Sequence, residues 1–93
     1  MRYKIIIQKP NLIKDKIIWS TVSMPWANLE VIKNTEYKLE DIEIIDQTLK
    51  VSIKKDDNIS EGMRIKFNEE YFDIKNINKN NESMSMYCVT SDE

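Results

Sequence analysis

The side chains that could do covalent chemistry are few, and their surroundings give them little to work with. The 93-residue chain has no histidine, which removes the commonest general base, the Ser-His-Asp and Cys-His nucleophile systems and the usual zinc sites. Cys88 is the single cysteine, so neither an intramolecular disulfide nor a cysteine-based zinc site is available. A reducing compartment is the simpler assumption, and Cys88 itself reads as a small buried residue. Carboxylates occur in pairs, Asp56-Asp57 and Glu69-Glu70, but both pairs sit in turn-like sequence with no nucleophile or ligand partner. Asp56-Asp57-Asn58 lacks the alternating acidic ligands and the sixth-position glycine of an EF-hand loop, so it reads as a turn rather than a calcium site. No catalytic residue, metal or cofactor is expected, and the chain is not expected to be an enzyme.

What remains is recognition. Lys50, Lys54, Lys55, Arg64 and Lys66 alternate with apolar residues and are expected on the solvent faces of adjacent strands. There they would form a basic stripe for DNA phosphate or for an acidic neighbouring subunit, or simply a solvated face. The balance of 14 basic against 16 acidic residues, a net charge of −2, offers no general counterion-release drive toward duplex DNA. Glu36, Glu40, Asp41, Glu43 and Asp46 make the middle of the chain acidic. Such a segment could face a channel and repel DNA, or be an ordinary surface loop. Trp19 and Trp26 could anchor an interface, although Trp26 lies in an expected inner strand and so reads as core. Met63, Met84 and Met86 could form an adaptable partner surface, although their alternation with polar neighbours favours core.

The elements that must carry these residues are mostly strands. Arg2 to Lys9 is β-branched and apolar at Ile5, Ile6 and Ile7, and Pro10 is expected to close it as a near-edge strand. Its basic-then-apolar start resembles a signal peptide only faintly, because Gln8-Lys9-Pro10 ends the apolar run without a cleavage site. Asn11 to Lys16 reads as a turn, and a second β-rich stretch from Ile17 to Val31 should bend at Met24-Pro25. Asn34 to Asp46 has no clean period and reads as a short helix, capped by Asn34 or Thr35, or as an ordered loop. Alternation then marks Leu49 to Lys54, Met63 to Phe67 and Ser83 to Cys88, and in Tyr71 to Ile77 Phe72 and Ile74 share a face, with polar turns between these stretches. These four are expected to form an antiparallel meander. The expectation is one all-β domain over residues 1–93, a small antiparallel barrel or sandwich of about six strands. It would carry an irregular insertion over about 32–46 and a terminal tail over about 90–93.

Several stretches together resemble the head–tail joining (head-closure, stopper or adaptor) family of tailed bacteriophages. They are Tyr3-Lys4-Ile5-Ile6-Ile7-Gln8-Lys9-Pro10, then Trp26-Ala27-Asn28-Leu29, the strand Leu49 to Lys54, and Gly62-Met63-Arg64-Ile65-Lys66-Phe67-Asn68-Glu69-Glu70-Tyr71-Phe72-Asp73-Ile74. Their order and spacing agree from Arg2 to about Val89. The departure is Val31 to Asp46, which is Ile-rich and acidic where that family usually carries a polar or helical stretch.

The resemblance implies a structural virion protein at the head–tail interface, made in the cytoplasm of a host bacterium. It would form a ring between the portal–adaptor (head completion) complex and the tail, close the head after DNA packaging and offer the tail its docking surface. Implied partners are the portal-adaptor protein, a tail completion or tail tube protein, further copies of the chain, and genomic DNA held or passed by the ring, with no membrane. The free protein could be a monomer. Expected contacts to partner or channel are Glu36, Tyr37, Glu40, Asp41, Glu43, Lys54, Lys55, Arg64 and Lys66. A rival reading from the residues is an OB-like barrel that binds single-stranded nucleic acid, with Tyr71, Phe72 and Tyr87 stacking bases beside the lysines.

Overall fold

A computed structural model describes residues 2–39 and 42–91, and the side chains among them outside 33–46. All the regular structure described is β. The strands are β1 (Tyr3–Lys4), β2 (Ile6–Ile13), β3 (Lys16–Ser23), β4 (Trp26–Leu39), β5 (Ile42–Lys54), β6 (Arg64–Phe67), β7 (Glu70–Lys79) and β8 (Ser83–Thr90). They pair antiparallel in the order β1-β4-β5-β8-β7-β6-β2-β3 and curl into a half-barrel. The all-β expectation holds, with eight strands rather than about six.

The N-terminal run ties the curl together. β1 pairs with β4 at Tyr3↔Ala27 and Lys4↔Trp26, whereas β2 pairs with β6 from Ile6↔Lys66 to Gln8↔Arg64. Only Ile5 separates the two strands, and its N–H donates to the Pro25 carbonyl at 3.1 Å. One stretch of chain therefore serves both ends of the strand order. Pro10 does not end β2, which continues to Ile13 with Pro10 opposite Trp19. Past Gln8 only β3 is paired with β2, so a residue without an N–H is tolerated on the open side.

Two tight turns need left-handed backbone. Lys14 and Asp15 (φ 49° and 63°) link β2 to β3, and Asn68 and Glu69 (54° and 65°) link β6 to β7. Both are two-residue hairpin loops with positive φ at each central residue, the geometry that matches strand twist. Gly62, at φ 96°, occupies a third such position just before β6.

The C-terminal strands are not a simple meander. β6, β7 and β8 follow one another, but β5 pairs with β8, giving the order β5-β8-β7-β6 of a Greek key. The link over 55–63 crosses to reach β6, and its Ile59 is buried in the core. Within this link the Asp56 carboxylate accepts the Asn58 N–H at 3.0 Å, the self-closing turn expected there.

Asn34 to Asp46 is neither helix nor loop where it is described. β4 and β5 continue through it, paired from Lys33↔Thr48 to Leu39↔Ile42. A register shift between Val31 and Lys33 makes Ile32 an extra residue, so the inward–outward parity changes part-way along β4.

The core takes Ile5 and Ile7 from the N-terminal run, Ala27 from β4, and Leu49, Val51 and Ile53 from β5. Ile65, Phe72, Ile74, Met84, Met86 and Cys88 complete its floor from β6, β7 and β8. Met63 packs against this set from its margin. Trp26 is not part of it. At 56% exposed it lies outside, with the Lys4 Nζ 5.3 Å from its ring centroid, because Ala27 takes the inward position.

Candidate docking surface

Period-2 alternation on β6 sends Ile65 into the core and Arg64 and Lys66 to the outer face. Arg64 nonetheless does not meet solvent as expected, since it is only 8% exposed. Its guanidinium lies 4.1 Å from the Trp19 ring centroid and 4.0 Å from that of Tyr71. Its Nε donates to Oε1 of Gln8 at 2.8 Å, the residue opposite it in register. A planar cation can stack on two rings at once, which an ammonium does poorly. This clamp fixes the base of the β2–β3 hairpin against β6 and β7. Sequence spacing could not reveal it, because Trp19 stands 45 residues before Arg64 (64 − 19).

Beyond the clamp the hairpin projects as an arm. Leu12 and Ile17 are opposite each other and 74% and 61% exposed, while Ile13 and Ile18 are also exposed. Lys9, Lys14 and Lys16 flank them. The cue in the sequence was Leu12-Ile13 and Ile17-Ile18 bracketing a turn, apolar on both faces of a two-stranded ribbon. A hairpin this apolar is marginal in water unless something covers it.

A groove opens elsewhere on the half-barrel, where the concave side of β4 and β5 runs past the core. It holds about 390 Å³ and is lined by Tyr3, Leu29, Val31, Gln47, Leu49, Phe67, Asn68, Glu70 and Phe72. Tyr3 meets Phe67 edge-on, with ring centroids 5.4 Å apart. Val31 in this groove is 55% exposed. A second, more open cleft of about 570 Å³ beside the clamp includes Glu61, Asp73 and Lys75, and so carries both signs of charge. Among the described residues no three metal-ligating side chains gather.

The expected basic stripe is divided. Lys50 and Lys54 are on β5 and Lys55 follows it, whereas Arg64 and Lys66 are on β6, with β8 and β7 between the two strands. Lys54 and Lys55 are exposed, and the Lys66 Nζ sits 5.8 Å from the Tyr71 centroid. Glu36, Tyr37 and Glu43 fall in strand, but their side chains lie outside those described, and Glu40 and Asp41 lie outside the described residues. The three aromatics expected to stack bases do not form a platform. Phe72 is buried in the core, Tyr71 is covered by Arg64, and Tyr87 is the exposed one of the three. Cys88 is buried as expected, and burial first, with the Asp73 carboxylate second, pushes its thiol up to about 12.

Comparison with known proteins adds to this geometry. A family model described as phage head completion protein matches residues 1–93. No curated protein matches in sequence. Among solved structures, the chain is similar to one from the "Virion of native gene transfer agent (GTA) particle", with a TM-score of 0.77. The two are 9% identical, and the match covers 98% of this chain and 96% of that one, a likeness of fold.

Proposed function

Since the chain belongs to the phage head completion protein family, it is a structural component of the virion, and we propose that it closes the DNA-filled head as a ring between portal–adaptor and tail. It works there without catalysis. Its task is to present surfaces: one toward the portal-adaptor protein, one toward the tail completion or tail tube protein, and a lumen toward the genome.

The observation that supports this reading most is the uncovered apolar arm, Leu12, Ile13, Ile17 and Ile18, held rigidly at its base by the Arg64 clamp. A domain of this size buries a modest fraction of its surface. Apolar groups left outside are then best explained by an assembly that covers them.

A phage unable to make this chain should accumulate separate tails and heads, with the heads losing packaged DNA. Adding the purified chain to those heads should restore joining, counted by negative-stain electron microscopy. Infectious, joined particles formed without the chain would overturn the proposal.

A further inference from the structure

We propose that the β2–β3 arm of one copy seats in the groove between β1, β4, β5 and the β6–β7 turn of the next copy. This rests on the ring reading above and assigns its contact. Arm and groove are two uncovered apolar features of the same chain, on different strands and not filled by each other within one molecule. One kind of contact, between copies, covers both at once, whereas a single foreign partner seated on one leaves the other to be covered separately.

The chemistry of the two sides matches. The arm offers Leu12 and Ile17 as a paired apolar knob, with exposed Lys14 and Lys16 at the tip outnumbering the Asp15 between them. The groove offers Leu29, Val31 and Phe67, and the one charged residue among those lining it is Glu70. Glu69, beside it on the same turn, is exposed. Lysines thus meet carboxylates around an apolar centre, an arrangement that fixes the sense of approach. Because knob and groove are different surfaces, the contact is head-to-tail, and each copy joined leaves a knob at one end and a groove at the other. Such a contact closes into a ring when the rotation per copy divides a full turn.

The test uses assembled particles whose only source of the chain carries both Leu12→Cys and Val31→Cys. Both native side chains are exposed, so neither change removes core packing. The native Cys88 is fully buried and should not compete for a thiol reagent. Treatment with a short bis-maleimide should give a ladder of multimers on a denaturing gel, while either single substitution gives none. A mixture of the two singly substituted chains should stop at dimers. Particles that contain the doubly substituted chain yet give no ladder overturn the arm-in-groove contact and leave the ring reading standing. Particles that join heads to tails while lacking the chain altogether overturn both.

Discussion

Arg64 illustrates how a residue's role can hide behind a correct local pattern. Alternation put it opposite Ile65 on the outer face, and that parity is right. The roof over it comes from Trp19 on a distant strand, so no period within residues 62–74 could show that the outer face is covered there. The same limit explains Trp26. A large aromatic in an apolar strand suggests core, but one residue of parity decides, and Ala27 holds the inward position. Where alternation was unbroken, as at Leu49, Val51 and Ile53 or Met84, Met86 and Cys88, the core was legible residue by residue. The clamp carries a prediction. Arg64→Lys keeps the charge but loses two-sided stacking and the directed Nε–Gln8 bond. It should cost about 1–3 kcal/mol, with Arg64→Met at the upper end, measured by urea unfolding. Trp19 fluorescence should shift to the red in both variants as the indole becomes wetter.

The β4–β5 hairpin was the element least legible from sequence. Its β-branched residues Ile42, Ile44 and Ile45 favour strand, but Asn34-Thr35-Glu36 imitates a helix start. The bulge at Ile32 then breaks the two-residue period that would have exposed the strand. A similar shift between Ile74 and Asn76 lets Ile77, three residues after Ile74, pack against the same core. Bulges preserve pairing while erasing the pattern by which pairing is recognised. The β2–β3 hairpin separates in the other direction, into a base that stabilises and a tip that does not. Every residue from Leu12 to Ile17 is exposed, and Asn11 stands opposite Ile18 in register. Replacing residues 12–17 with a two-residue Asn-Gly turn should therefore leave the melting temperature within a few degrees of the native value, by calorimetry. Head–tail joining by the same variant should be lost, as counted by electron microscopy.

At the scale of the whole molecule, alternation identified the four C-terminal strands but not their neighbours. The link over 55–63 carries β6 past the place a meander would give it, and the buried Ile59 rewards that crossing with core contacts. Nothing in the spacing of Lys50, Lys54, Lys55, Arg64 and Lys66 distinguishes a Greek key from a meander, and the expected stripe falls on strands that are not neighbours. The shared core also makes stability depend on alkaline pH. The Cys88 thiol is pushed from 9.0 up to about 12 in the folded protein, chiefly by burial. Between these values the unfolded chain releases this proton and the folded chain keeps it, so stability falls as pH rises from about 9 toward 12. Denaturant unfolding across that range should show the decline, and Cys88→Ala should show a shallower one.

The placement of the first strands also sets an order of events during synthesis. Ile6, Ile7 and Gln8 find their β6 partners only at residues 64–66, made later by about 3–12 s at ordinary elongation speeds. Through that interval the most isoleucine-rich stretch near the N-terminus leaves the ribosome with one of its two neighbours still unmade. The half-barrel cannot close progressively from its beginning. Its closure waits for β6, so the clamp at the arm's base, which needs Arg64 and Tyr71, and the groove, which needs Phe67 to Phe72, are completed only late in synthesis.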